Sequence, residues 1–253
     1  MTNKTKLSVL IVAHNEEKKL KSCLEKLKDA DEVILLLDKT NDNSKKIAKD
    51  FNIILEEGSW ELEGERRNYG LSLCSGDWIL EVDADEHVSK ELFIEIRKNI
   101  EKAEPGYFLI PFDNYIGNRK VKYGWGASWG VSAAPRLSYK GFKKWNNFQR
   151  IHPSIILKGK KKWLKNSITH YVDKDINDMI KRLIYYTDMK AKDLITSKEK
   201  IPNFLIILRK GTTRFFKCYI SRKGYKEGQI GFLIALMAFL YLVVSYIKAS
   251  NQK

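Results

Sequence analysis

The first hundred residues alternate between short apolar runs and segments in which apolar side chains recur at helical spacing. Residues 7–13 form a nearly continuous apolar run of buried-strand length, and residues 16–28 follow with helical spacing. Repeated strand–helix units of this kind predict an α/β chain with a mainly parallel, doubly wound sheet, whose ligands bind at the carboxyl ends of the strands. The other predicted strands are 33–37, 53–55 and 78–82, and the other predicted helices are 43–51, 64–74 and 89–103.

The pattern changes after Pro105, where the predicted strands become aromatic and punctuated by glycine. We predict one domain over residues 1–172, with a first half over 1–104 and a second half over 105–172, followed by C-terminal helices over 173–253. The predicted strands of the second half are 107–112, 120–123, 131–137 and 154–157, and the first C-terminal helix is predicted over 175–194.

Two C-terminal segments predict contact with a membrane. Residues 204–220 interleave apolar side chains with lysine and arginine, as interfacial helices do. Residues 230–247 carry no charge and would reach roughly 27 Å as a helix, close to the ~30 Å hydrocarbon core of a bilayer. This stretch either spans the membrane or lies in its interface, and a buried core helix is the alternative. The basic flank over 209–226 favours a catalytic body on the cytoplasmic side.

Charge is divided unevenly along the chain. Residues 1–104 carry 17 Lys and Arg against 23 Asp and Glu, whereas residues 105–253 carry 29 against 8. The acidic half suits a divalent metal site, and the basic half suits a polyanionic surface such as phospholipid headgroups, lipid phosphates or nucleic acid. A surface that merely keeps the chain soluble is the alternative. Three widely spaced cysteines and the lack of a signal-peptide pattern favour a reducing compartment and no export.

The strongest chemical signal follows the predicted strand 78–82, where residues 81–86 are Glu-Val-Asp-Ala-Asp-Glu. Asp83 and Asp85 are separated by one residue at a strand end, so both can approach one cation and its diphosphate ligand. Mg²⁺ and Mn²⁺ prefer such oxygen ligands and complete their coordination with substrate phosphates and water. An acidic turn without a ligand is the alternative.

Polar side chains also follow the two preceding strands. Asn15 and Glu16 come after the first strand, and Asp38 ends the second, so all should meet Asp83 at one edge of the sheet. Arg66 and Arg67 belong to the helix before the acidic strand, and guanidinium groups suit a diphosphate. Helix capping and a solvated helix face are the respective alternatives.

Taken in order, these residues resemble family 2 glycosyltransferases, and more narrowly the lipopolysaccharide core β-1,4-glucosyltransferase-like branch. The resemblance implies a GT-A fold and inverting transfer from a nucleotide-diphosphate donor, a UDP-hexose, to a membrane-associated glycolipid. The implied acceptor is a lipopolysaccharide core or another cell-surface glycan intermediate, at the cytoplasmic face of the plasma membrane. The stretches that carry the resemblance are residues 13–17, 36–38, 42, 67–68 and 75–86, with 124–125, 136–137, 152 and 170–171 further on.

The resemblance also implies roles for individual residues. Asp85 would ligate Mg²⁺ or Mn²⁺, and Asp83 would lie near both the ribose and the metal. The positions that match the nucleotide-sugar-binding residues of the family are Ala13, Asn15, Glu16, Asp38, Arg67 and Asp83.

An inverting enzyme needs a base that takes the proton of the acceptor hydroxyl. Here the chain departs from the branch, which has a Val-His-Glu-like piece where residues 151–153 are Ile-His-Pro. Asp113 and His152 are the substitute candidates for the base. Residues 39–41, Lys-Thr-Asn, likewise replace a glycine-serine-threonine turn.

Two other functions remain as alternatives. A sugar-phosphate nucleotidyltransferase would need a glycine-rich phosphate loop after the first strand, and residues 13–16 are not one. A non-catalytic protein that binds membrane or nucleic acid would use the basic second half. No nucleic-acid reader motif is present in the sequence, so a nucleic-acid partner is not expected.

Overall fold

The computed structural model describes residues 4–126, 129–197 and 202–252. The strands are β1 (Leu7–Ala13), β2 (Glu32–Asp38), β3 (Ile54–Gly58), β4 (Trp78–Asp83), β5 (Glu86–His87), β6 (Gly106–Ile116), β7 (Arg119–Lys120), β8 (Ala133–Tyr139), β9 (Lys143–Trp145), β10 (Ile155–Leu157), β11 (Lys160–Trp163) and β12 (Ile168–Asp173). The α-helices are α1 (Glu17–Glu25), α2 (Ser44–Ala48), α3 (Glu63–Leu73), α4 (Lys90–Ile100), α5 (Ile176–Thr196), α6 (Phe204–Phe216) and α7 (Gln229–Ser250).

Four strands of the first half, β1 to β4, form the parallel part of the sheet, as the sequence predicted. The strand order is β3-β2-β1-β4-β8-β6-β12-β5, and β3, β2, β1 and β4 are mutually parallel. β8 runs antiparallel to β4, and β6 runs antiparallel to β8. Ala13 lies beside Leu37, and Val12 lies beside Asp83. The ends of β1, β2 and β4 therefore meet at one side of the sheet, which we call the carboxyl-end edge.

Strand β1 is buried along its whole length because helices cover both faces of the sheet. Val9 and Ile11 face a core that includes Leu20 of α1 and Phe93 of α4. The alternate residue Leu10 faces a second cluster on the other side of the sheet, completed by Cys74 and the end of α3. The α/β class predicted from the sequence is confirmed.

Helix α4 begins directly after Ser89, the first residue of the predicted helix 89–103, and Ser89 caps it. Ser89 Oγ accepts a hydrogen bond from the Leu92 N–H at 3.2 Å, which satisfies one of the free donors of the first turn. Other predicted helices are shorter in the structure, since residues 16–28 give only Glu17–Glu25 and residues 43–51 give only Ser44–Ala48. Both end in turns that the apolar spacing does not reveal.

The chain divides into two compact units. The first contains the described residues of 1–112, 133–149 and 153–170, and the second contains those of 113–132, 150–152 and 171–253. The predicted boundary at residue 172 stays a prediction.

The second unit is built around α7, which packs against both α5 and α6. Its core includes Trp125, Trp129, Met179 and Ile234. Helix α6 continues into a π-helical turn over Lys217–Ser221, so the predicted helix 204–220 is present with altered geometry at its end. Among the described residues, α7 alone is long and apolar enough to cross a membrane, and 44% of its most apolar window is buried.

Candidate active site

The loops that follow β1 and β2 are tied together at the carboxyl-end edge. Asn15 adopts φ 53°, and its Oδ1 accepts a hydrogen bond from the Asn41 N–H at 2.9 Å. His14 Nδ1 lies 2.7 Å from the carbonyl oxygen of Asp38. Ala13 is the buried last residue of β1. The structure therefore brings Ala13, Asn15 and Asp38 together.

Asp38 is only 8% exposed, and both of its carboxylate oxygens accept hydrogen bonds. Arg66 Nη1 donates to Oδ2 at 2.7 Å, and the Trp60 N–H donates to Oδ1 at 3.1 Å. The Trp60 ring lies 5.6 Å from the ring of Tyr69. Each carboxylate oxygen has two lone pairs, so Asp38 keeps acceptor capacity for a further N–H donor beside these two.

Asp83 lies between two arginines at the end of β4. Arg67 Nη2 donates to Oδ1 at 3.1 Å, and Arg136 Nη2 donates to Oδ2 at 2.6 Å. Burial would raise the pKa of Asp83, but the two guanidinium groups outweigh it and hold that pKa well below its usual range. Arg67 is also fixed by Glu63 at 2.9 Å and lies 4.8 Å over the Trp145 ring.

Asp85 faces two basic side chains at longer range. Its Oδ2 lies 3.8 Å from Lys19 Nζ and 3.7 Å from His170 Nε2. Burial raises the pKa of Asp85, but His170 and Lys19 outweigh burial and lower it. Lys19 also lies 3.8 Å from Glu16, whose pKa is raised by burial and by the carboxylates of Asp85 and Asp83. Glu16, Asp83 and Asp85 thus form one acidic cluster.

Glu86 is completely buried behind this cluster. Its Oε2 accepts a hydrogen bond from the Asp83 N–H at 3.0 Å, and its Oε1 contacts Arg136. Burial raises the pKa of Glu86 to about 7, against the opposing effect of Arg136. Glu86 therefore holds the backbone of Asp83 and the guanidinium of Arg136 in place.

Two residues before Asp83 on β4, Glu81 forms a buried ion pair with Lys143 of β9. Glu81 Oε1 accepts a hydrogen bond from Trp145 Nε1 at 2.9 Å, and Lys143 Nζ donates to the Pro135 carbonyl at 2.8 Å. Burial lowers the pKa of Lys143 to about 8, and the attraction of Glu81 offsets this only in part. This pair supports the strand that carries Asp83.

A divalent cation fits Asp85 better than Asp83. Asp85 Oδ2 lies 3.8 Å from Lys19 and 3.7 Å from His170, whereas the oxygens of Asp83 accept from arginines at 3.1 and 2.6 Å, so Asp85 is held less tightly. Within residues 4–126, 129–197 and 202–252, no group of three or more His, Cys, Asp or Glu side chains is placed to hold a metal ion. Such a cation would rely on substrate phosphates and water for most of its ligands, as Mg²⁺ commonly does.

The two candidates for the base belong to the second unit. Asp113 Oδ2 lies 2.7 Å from Lys120 Nζ. His152 adopts φ 53°, and its ring lies 4.9 Å from the ring of Tyr186 and 6.3 Å from that of Tyr241. The role of either residue as the base stays a prediction.

Two residues of the site, Arg136 and His170, were not assigned to it from the sequence. They lie on β8 and β12, and each has one signal: it belongs to a stretch that carries the family resemblance. Sheet pairing brings them to the acidic cluster, since β8 pairs with β4 and β12 pairs with β5. Spacing along the chain contains no such information.

Comparison with known proteins places the chain in a family. The family model described as Glycosyl transferase family 2 matches residues 8–172. An uncharacterized glycosyltransferase of Rickettsia conorii is 26% identical, over 98% of this chain and 92% of its own. The lipopolysaccharide core biosynthesis glycosyltransferase LpsC of Rhizobium meliloti is 22% identical, over 98% and 93%.

A solved structure has the same fold. TarS 1–349 of S. aureus, in complex with UDP, is similar with a TM-score of 0.52 and 14% identity, over 98% of this chain and 91% of that one. The mostly parallel sheet with flanking helices is thus GT-A-like, as the resemblance implied. Because the family model covers more than half of the sequence, the chain belongs to glycosyl transferase family 2.

Proposed function

We propose that this chain is an inverting, metal-dependent hexosyltransferase that moves a sugar from a UDP-hexose to a membrane-held glycolipid. The acceptor is a lipopolysaccharide core or another cell-surface glycan intermediate, at the cytoplasmic face of the plasma membrane. The observation that carries the proposal is the position of Asp83 between Arg67 and Arg136, with Asp85 facing Lys19 two residues later, where parallel strands end.

This arrangement suits a nucleoside diphosphate leaving group. Arg67 and Arg136 supply planar guanidinium groups that match phosphate oxygens. Asp85, with Asp83, would hold Mg²⁺ or Mn²⁺, and such a cation supplies charge stabilisation to the departing diphosphate. Asp38 and Asn15 offer acceptor oxygens to the N–H groups of a nucleobase, beside the hydrogen bonds that Asp38 accepts from Arg66 and Trp60.

The acceptor side of the proposal has different support. LpsC, a relative along nearly the whole chain, is described as an enzyme of lipopolysaccharide core biosynthesis. The excess of lysine and arginine after residue 104 suits an acidic glycolipid and an anionic membrane. Asp113 or His152 takes the proton of the acceptor hydroxyl as that oxygen attacks the sugar.

The donor half is tested by UDP release from UDP-hexoses in the presence of Mn²⁺. We expect Asp85→Asn to lower turnover by about 100-fold or more, because removal of one preorganised electrostatic group costs that much. Asp50→Asn, which removes an exposed carboxylate after α2, is the matched control and should retain full activity. Calorimetry of UDP binding with and without Mn²⁺ gives a second readout, and an unchanged D85N variant in both assays would refute the metal role.

The base is tested by comparing Asp113→Asn with His152→Gln. Loss of a general base lowers kcat by about 10²–10⁴-fold and leaves UDP affinity intact. The variant without this loss serves as the control for the other. If both variants keep wild-type kcat, neither residue is the base.

A further inference from the structure

Helix α6 has two apolar sides, and the protein covers only one of them. On the covered side, Ile207 and Gly211 are buried. Gly211 allows close packing on α7, because a Cβ at this position would lie 2.9 Å from Phe239 Cδ2 and 3.4 Å from Val243 Cγ2. This contact explains why a small residue stands in the middle of an otherwise bulky helix.

The outer side of α6 carries large apolar side chains that face solvent. Leu205 is 70% exposed and Phe216 is 53% exposed, and Leu208 lies on the same side by helical spacing. Ile220 continues this side into the π-helical turn with 54% exposure. The outward side of a surface helix is ordinarily polar. Packing within this protein therefore does not account for the outer apolar stripe formed by Leu205, Leu208, Phe216 and Ile220.

The charge around the stripe has a single sign. Residues 202–226 contain seven Lys and Arg and no Asp or Glu. Arg209, Lys210 and Lys217 of α6 and its π-helical turn are exposed, and none of them pairs with a carboxylate of the described residues. A partner that covers the stripe must therefore be both apolar and negatively charged.

We propose that the outer side of α6, with Leu205, Leu208 and Phe216 at its centre, docks on the surface of an anionic phospholipid leaflet. Apolar side chains enter the headgroup boundary, and Arg209, Lys210 and Lys217 contact lipid phosphates. The helix lies in the plane of the interface and anchors the protein peripherally. The inference rests on the proposed function only in that a membrane-held acceptor makes such an anchor useful.

In the same proposal α7 is the support of this surface and not a membrane span. Buried residues recur along its whole length, from Gly231 to Ala249. Near its end, Lys248 Nζ lies 2.7 Å from Asp188 Oδ1 and donates to Thr187 Oγ1 at 2.9 Å, both on α5. Withdrawal of α7 into a bilayer would break these contacts and expose the faces of α5 and α6 that it covers.

The test is co-sedimentation of the full chain with vesicles of phosphatidylcholine, alone or with phosphatidylglycerol. We expect binding only to the anionic vesicles, and release by an alkaline carbonate wash. The variant L205Q/F216Q should lower the partition coefficient at least tenfold. R209Q/K210Q should lower it about fivefold for each charge removed, since each is worth about 1 kcal/mol near such a surface. The control I94Q/K98Q removes an exposed isoleucine and an exposed lysine from α4 and should bind as wild type.

Several results would overturn the proposal. These are no binding by the wild type, equal binding to uncharged vesicles, or wild-type binding by L205Q/F216Q. Retention after the carbonate wash would identify α7 as a span. Dimers in ultracentrifugation that are lost in L205Q/F216Q would identify a second copy as the occupant. UDP release without vesicles is measured in parallel, so failure of the enzyme function and failure of docking are distinguished, and circular dichroism checks that each variant is folded.

Discussion

Replacement of Lys143 by methionine tests how the buried ion pair with Glu81 stabilises β4, the strand that carries Asp83. Lys143 and Glu81 have side chains that are each 1% exposed and form an ion pair inside the first unit. Methionine fills a similar volume but leaves the carboxylate of Glu81 buried without this cation. The groups that remain around Glu81 are Trp145 Nε1, at 2.9 Å, and Arg67 Nη1, at 3.9 Å.

The expected cost follows from these remaining contacts. Removal of one partner of a buried ion pair destabilises a protein by about 3–5 kcal/mol. Because Arg67 and Trp145 still face Glu81, we expect Lys143→Met to lower the free energy of unfolding by about 3 kcal/mol. Both charged groups lose their hydration on burial, which offsets most of the attraction between them, so the intact pair contributes little net stability. The double variant E81Q/K143M should therefore come within about 1 kcal/mol of the wild type.

Urea unfolding at pH 7 measures Lys143→Met, Glu81→Gln and the double variant. The matched control is Lys144→Met, which removes the exposed lysine next along β9 and should change the free energy of unfolding by less than about 0.5 kcal/mol. The reasoning is refuted if K143M costs no more than K144M. It is equally refuted if the double variant costs as much as the sum of the single ones, since the two groups would then not be coupled.

Two further predictions concern the stability of the first unit. The N–H of Leu7 and the guanidinium of Arg97 hold the pKa of Asp31 at about 2, against the opposing effect of burial. The stability that the Asp31 carboxylate contributes is complete above pH ~4 and is lost as the pH falls from ~4 to ~2. Asp31→Asn should therefore lower the free energy of unfolding in urea by about 1–2 kcal/mol at pH 7 and by clearly less at pH 3. An equal loss at both pH values contradicts this prediction. Gly64→Ala places a Cβ 2.1 Å from the Asn146 carbonyl oxygen, so we expect the free energy of unfolding to fall by about 1–3 kcal/mol. An unchanged melting temperature would contradict this expectation.

The sequence predicts best those parts of the fold in which burial alone decides the structure. β1 was predicted over 7–13 and is observed as Leu7–Ala13, because a strand covered on both faces is a continuous apolar run. β11 was missed, since Lys160–Trp163 is Lys-Lys-Lys-Trp and carries no apolar pattern. Its strand conformation is imposed by pairing with β6, from Lys160 beside Gly106 to Trp163 beside Leu109. Such tertiary contacts override local propensity.

The candidate site divides in the same way. Asp83 and Asp85 could be identified from the sequence because the two carboxylates and the strand end that carries them lie together within residues 81–86. The partners of these carboxylates are not local. Arg136 reaches Asp83 from β8, and His170 reaches Asp85 from β12, each through strand pairing over more than fifty residues. The residues next to an arginine in a strand do not show whether that arginine belongs to a site or to the surface.

The two arginines also determine how Asp83 can meet a donor. Each oxygen of Asp83 accepts a hydrogen bond from one arginine, and each keeps a second lone pair that a cation could use. Both guanidinium groups are fixed, Arg67 by Glu63 at 2.9 Å and by the Trp145 ring at 4.8 Å, and Arg136 by Glu86 and by the Phe112 ring at 5.6 Å.

Arg136→Lys keeps the charge of this group and removes its planar fork, so a role in binding the diphosphate can be measured. We expect the Kd for UDP with Mn²⁺ to rise about tenfold, because bidentate charge-assisted hydrogen bonds are replaced by a single point contact worth about 1.4 kcal/mol less. Isothermal titration calorimetry measures this Kd, and the free energy of unfolding of the same variant shows whether the site is intact. Wild-type affinity in a folded R136K variant would mean that Arg136 makes no bidentate contact with the diphosphate.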